Sequence, residues 1–175
     1  MSSIYGLDLS LTATGIARIG DGEDTVWRER SKGSTSDTLA MRAGRLADLD
    51  HSIRSTIEYG SHVAIETPAH NQTSGHHHDR SGLWWLVVSG LVPYAHVYEV
   101  STTQVKKYAT GRGNASKMEV MSAAIKRYPQ FDIHDDNEAD AVILAAFLAR
   151  ALGRPIEESL PQANLAALEK FSVSR

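Results

Sequence analysis

Residues 4–10, "IYGLDLS", alternate with the period of a strand and carry an acid inside the apolar run. Tyr5, Leu7 and Leu9 point to one face, and Ile4, Gly6, Asp8 and Ser10 point to the other. A carboxylate buried at such a position costs several kcal/mol unless a cation or hydrogen-bond donors meet it. The fold must therefore open the end of this strand onto something that answers Asp8.

Two more short strands follow, "TGIARI" and "DTVWRER", with "GDGED" as the hairpin turn between them. The period then changes over residues 37–59. Leu39, Leu46, Leu49, Ile53 and Ile57 fall on one helical face, Arg42, Arg45, Asp48 and Arg54 fall elsewhere, and Asp37 or Ser36 is the expected cap. "HVAIET" is a strand stopped by Pro68, which lacks a donor and restricts the residue before it. A polar loop, "AHNQTSGHHHDRSG", leads into "LWWLVVSGLV", read as a buried helix, and then into the strand "HVYEV". "TTQVKKYA", "KMEVMSAAIKRY" and "NEADAVILAAFLARAL" read as helices, and "LPQANLAALEKF" as a short amphipathic one. Five strands interleaved with helices in this order predict an α/β domain, a mixed five-stranded sheet flanked by helices.

No internal repeat or low-complexity linker divides the 175 residues, so a single domain over residues 1–175 is expected. The net charge of −3 gives no global positive field, so any nucleic-acid surface has to be a local patch. The absence of cysteine excludes disulfides, thiolate zinc sites and a cysteine nucleophile. No apolar run is long enough to cross a membrane and no signal-peptide pattern is present, so a soluble, cytoplasmic protein without membrane contact is expected.

Glu66 repeats the problem of Asp8, because "VAIE" sets an acid at the end of another apolar strand. Sites in open α/β sheets gather at the carboxyl ends of strands, and two acids there repel unless a cation lies between them. In "HDDNEADAV", Asp140 interrupts an apolar helical register and should face the sheet. Asp136 and Asn137 share its face at four and three residues' distance, whereas Glu138 looks away. Asp135 and Asp136 read as helix caps. Inward carboxylates with oxygen-only ligands suit Mg²⁺ or Mn²⁺ rather than zinc. "STTQVKKYATGRGNASKMEV" gathers Lys106, Lys107, Arg112 and Lys117 around Gly111 and Gly113, as a polyanion site or a solvated turn between helices.

"GLDLSLTATGIA", "VAIETP", "QVKKYATGRGNASKMEV" and "DDNEADAVILA" together resemble, in order, the four signature segments of RuvC-type Holliday-junction resolvases of the ribonuclease H-like superfamily. The resemblance covers about residues 3–152 and leaves a helical tail, residues 153–175, outside it. It implies a ribonuclease H-like sheet and a homodimeric, metal-dependent endonuclease that nicks four-way DNA junctions with two Mg²⁺ (or Mn²⁺) ions per site. By position it makes Asp8, Glu66 and Asp140 metal-binding catalytic carboxylates, and Lys106 and Lys117 contacts to the DNA backbone or the reacting phosphate. The fourth metal position holds Asn137 where the family carries an acid or histidine, and Asp136 or His134 is placed to compensate. The loop after Glu66 also departs, with His76, His77 and His78 where junction-probing residues are expected. They read either as DNA contacts, the preferred reading, or as a solvated loop. Rival readings are a non-catalytic branched-DNA-binding module and a nuclease of the same fold with broader specificity. An actin-like ATPase is disfavoured because that architecture needs two such domains.

Overall fold

The computed structural model describes residues 2–68 and 77–173. Its five strands, β1 (Ile4–Asp8), β2 (Ala13–Ile19), β3 (Thr25–Arg30), β4 (His62–Glu66) and β5 (His96–Val100), form one sheet in the order β3-β2-β1-β4-β5. β1, β2 and β3 form an antiparallel meander, whereas β4 runs parallel to both β1 and β5. The mixed sheet expected from the sequence is the one found. Strand alternation sorts its two faces. Tyr5, Leu7, Ile16, Val63 and Ile65 pack under α1 (Leu39–Ser55) and α2 (His77–Leu91). Ile4, Ala17, Ala64 and Val100 pack under α3 (Thr102–Thr110), α4 (Lys117–Arg127) and α5 (Asp136–Ala151).

α5 is the central helix of the second layer, buried without a break from Ala141 to Ala149. It lies close on the sheet because β1 and β2 present glycines to it. A Cβ on Gly6 would fall on the Ala141 carbonyl oxygen and within 2.6 Å of the Ala145 nitrogen. A Cβ on Gly15 would fall on the Asn137 carbonyl. Gly15 is also the cross-strand partner of Asp8, so the close approach brings the first turns of α5 to the acid of β1.

The segment after α5 is held by a buried polar cluster. Glu157 accepts hydrogen bonds from the hydroxyls of Tyr108 and Tyr128 and from Arg150 Nε, and Asn164 Nδ2 donates to the Tyr108 carbonyl at 2.8 Å. The Phe171 ring packs edge-on against Phe147, with centroids 4.8 Å apart. The tail thus braces α3 and α4 against α5. Its helix, α6, is only Gln162–Leu165.

Four expectations need correction. The α1 cap is Thr38, whose Oγ1 accepts from the Met41 N–H, because Asp37 instead accepts from the Ser34 N–H and closes the preceding turn. Leu39, at the first helical position, precedes the packed stretch and is 77% exposed, and Ile57 is buried beyond the helix end. α2 starts at His77, inside the segment read as loop, because its first turns are polar and show no apolar period. Nor is α2 buried all round. Leu83, Trp84, Val87 and Leu91 face the core, while Trp85 is 64% exposed, since only one side meets α1 and the sheet. Among the described residues, no helix is long and apolar enough to cross a membrane.

The Gly6 contact predicts that Gly6→Ala, which would stabilise an ordinary strand, here costs about 1–3 kcal/mol through overpacking. Urea denaturation should show a lower midpoint with an unchanged slope.

Candidate active site

Asp8 ends β1 and Glu66 ends β4, two adjacent parallel strands in which Leu7 pairs with Ile65. Both acids follow residues that point under α1 and α2, so both project to the α5 side. There a cleft of about 420 Å³ opens at the strand ends. Asp8 and Ser10 line it from β1 and its turn, Glu66 from β4, and Asn137 and Asp140 from the first turns of α5. Lys106 enters from α3, and Lys117 from the start of α4. Residues 58 positions apart in the chain, Asp8 and Glu66, thus share one cleft with a helix pair from the last third of the sequence.

The carboxylates strain against one another. The Asp8 carboxyl is held well above the usual carboxylate range, by burial first and then by the charges of Glu66 and Asp140. Burial, followed by the Glu66 charge, pushes Asp140 up to about 7. Lys117 opposes both shifts, yet its ammonium group bonds Asp136. That bond raises the Lys117 pKa and lowers that of Asp136. Asp136 therefore occupies the lysine at the cleft mouth and is not among the lining residues, whereas Asn137 is. Among the described residues, no three His, Cys, Asp or Glu side chains are drawn together as a ready-made ion site. The Glu66 carboxylate is bonded instead by the Thr102 hydroxyl.

Other sequence candidates lie elsewhere. Lys107 and Arg112 do not line the cleft, and Arg112 pairs with Glu119. Gly111 adopts φ 81°, as the C-cap of α3, and a Cβ on Gly113 would meet Thr103 Cγ2 at 2.6 Å, so both glycines serve the α3–α4 connection. Ser116 caps α4 through a capping box with Glu119. His77 and His78 sit exposed in the first turn of α2 with ring centroids 5.1 Å apart, outside the cleft lining, and His76 lies outside the described residues. His134 lies beside Asp132 and Glu138, away from the cleft. Glu138 is buried against Arg28, and Asp135 caps α5, as the spacing implied.

Arg80, Trp84 and Thr102 also line the cleft and were not legible as site residues. The one available signal was helical: Arg80 and Trp84 are four apart on α2. Trp84 Nε1 donates to the Glu66 carbonyl at 2.9 Å and so pins the end of β4.

No protein-family model matches the chain, and no curated protein matches it. Solved structures do. The Thermus thermophilus RuvC structure superposes with a TM-score of 0.62 over 87% of this chain and 97% of its own, at 21% identity. T. thermophilus RuvC in complex with Holliday junction substrate does so with a TM-score of 0.60, over 88% and 98%, also at 21% identity. The fold is that of RuvC. The ribonuclease H-like sheet expected from the sequence is thereby established, and at this identity the chemistry has to be argued from the residues in the cleft.

Asp140 provides a thermodynamic test. Its raised folded-state pKa means that folding retains a proton which the unfolded chain releases near pH 4, so stability is lost as pH rises from about 4 to about 7. Asp140→Asn removes that loss. In EDTA the variant should be more stable than the parent by about 1–3 kcal/mol at pH 8, with little difference at pH 4, by urea denaturation at both pH values.

Proposed function

We propose that the protein is a metal-dependent, structure-selective endodeoxyribonuclease that resolves four-way DNA junctions by hydrolysing phosphodiester bonds. The observation that carries this reading is the meeting of Asp8, Glu66, Asp140 and Asn137 with Lys106 and Lys117 in one cleft. Further support comes from the fold, which is shared with a RuvC whose solved complex holds a Holliday junction substrate.

The donor set fits hard divalent cations: three carboxylates and an amide carbonyl, with no thiolate in the chain. Burial, and after it the charges of Glu66 and Asp140, raise Asp8, and a bound cation would offset both. Asp8, Glu66, Asp140 and the Asn137 carbonyl would hold Mg²⁺ or Mn²⁺, two ions per site in this reading. Bound there, the ions supply the charge that activates water and stabilises the leaving 3′ oxygen. The chain's own task is to place the scissile phosphate. Lys106 and Lys117 flank the carboxylates and supply fixed positive charge to it. As a phosphate arrives, Lys117 exchanges its partner Asp136 for the DNA. Lys107, Arg112 and the exposed His77 and His78 are assigned to DNA outside the cleft, and His76 is assigned to DNA contact from the sequence alone.

Symmetric nicking of a junction needs paired sites, so the protein acts as a homodimer. The exposed side of α2, with Trp85 64% and Leu86 42% accessible, and Val92 just beyond it at 61%, is the surface assigned to the second copy. Light scattering at micromolar concentration should give twice the chain mass, and Trp85→Glu should give the monomer.

The deciding experiment is cleavage of a four-way junction beside fork, flap and duplex controls, in Mg²⁺ and in EDTA. Junction-selective nicking in Mg²⁺ alone is expected. Equal cutting of all substrates would favour a broader nuclease, and binding without cutting a non-catalytic module. Asp8→Asn should bind junctions and fail to cut. Lys117→Ala should lower single-turnover cleavage about 10²–10³-fold while changing affinity little. Asn137→Asp should lower the Mg²⁺ requirement. Loss of cleavage in Asp136→Ala with an unchanged Mg²⁺ titration in Asn137→Ala would transfer the ligand role to Asp136.

A further inference from the structure

Glu66 and Val100 are direct partners across the β4–β5 ladder, and the Thr67 N–H donates to the Val100 carbonyl at 2.9 Å. Two residues past Val100, Thr102 occupies the first position of α3 and turns back over the end of β4. Its hydroxyl donates to Glu66 Oε1, and its side chain lines the cleft. A hydroxyl at a helix start usually serves the helix by capping free backbone N–H groups. Here Ser101 already does so, accepting from the Gln104 N–H while Gln104 returns a bond to the Ser101 N–H. The Thr102 hydroxyl is therefore surplus to the helix. It is also held stiffly, because a β-branched side chain has few χ1 choices in a helix. The carboxylate it meets belongs to a residue whose carbonyl is already bonded by Trp84 Nε1. Main chain and side chain of Glu66 are thus each fixed by a neighbour from a different helix.

We propose that Thr102 is a positioning residue for Glu66: it occupies Oε1 and presents the other carboxylate oxygen to a divalent cation in the cleft. This rests on the metal-site reading above. It makes Glu66 a one-oxygen ligand with a set direction, so that the cation does not have to order the side chain when it binds. Removing an outer partner of a metal ligand typically lowers affinity about 10–100-fold.

The test uses the full chain without DNA and Mn²⁺ alone as the probe, with free Mn²⁺ measured by electron paramagnetic resonance at pH 8. Thr102→Val keeps the shape and removes the donor, and should weaken Mn²⁺ binding about tenfold. Thr102→Ser restores the donor and should bind within about twofold of the parent on the same scale. In a Glu66→Gln background, Thr102→Val should cause no further loss, because the two residues act as one unit. A purely structural role would weaken binding equally in either background and would show in the unfolding midpoint in EDTA. Asp8→Asn separates the two levels of inference. If Asp8→Asn loses Mn²⁺ while Thr102→Val binds like the parent, the Thr102 assignment is overturned and the metal site stands. If Asp8→Asn binds Mn²⁺ as tightly as the parent, the metal site falls and takes the Thr102 assignment with it.

Discussion

The close approach of α5 to β1 and β2 is the constraint on which the rest of the molecule depends. It exists only where side chains are missing: at Gly6, opposite the Ala141 carbonyl, and at Gly15, opposite the Asn137 carbonyl. Any Cβ at these positions would have to displace helix backbone, which cannot yield as the end of a flexible side chain can. The alanines of α5 continue the fit further along the sheet, against Ala17 and Ala64. A helix seated this deeply is buried for most of its length, and a polar residue on its inner face must then look into a cavity or find a partner. Asp140 looks into the cleft, while Glu138, two residues earlier, is bonded to Arg28.

The same packing creates the electrostatic problem that defines the cleft. Asp8, Glu66 and Asp140 face a common space, and burial first, then the charges of neighbouring acids, pushes Asp8 and Asp140 up. A fold selected for stability alone would replace one of these acids with an apolar residue, since removing like charges from a partly buried cluster relieves strain. Retained together, they store a preference for positive charge. Asp136 holds Lys117 at the mouth of the cleft, so part of the available countercharge is not spent on the acids inside it. The C-terminal segment contributes at a distance. Through Glu157, Tyr108, Tyr128 and Asn164 it ties together the helices from which Lys106 and Lys117 emerge.

Much of this was legible in the order of residues. Alternation along β1 and β4 fixed which face each acid would take, because the period of a strand leaves no choice once its apolar side is buried. The helical spacing of Asn137 and Asp140 put them on one face, and the inward position of Asp140 followed from its interruption of an apolar register. Other features carried no such signal. The first turns of α2 are polar and exposed, so nothing periodic marked His77 and His78 as helical. Arg112 read as part of a basic patch, yet it pairs with Glu119 one turn into α4, because capping brings that glutamate back over the α3–α4 turn.

The sequence by itself determined the class of fold, the acids that share the strand ends and the faces on which they lie, since these follow from local periodicity and from the cost of burying charge. Only the tertiary structure decided which partners those acids meet. Gly6 and Gly15 look like unremarkable strand glycines until α5 is laid on them. The seating of α5 turns Asp136 toward Lys117 and Asn137 into the cleft, a difference that their spacing from Asp140 does not contain. Thr102 and Trp84 reached Glu66 from segments 36 and 18 residues away. Such contacts depend on how whole elements are seated against one another, and no local pattern of residues encodes that distance.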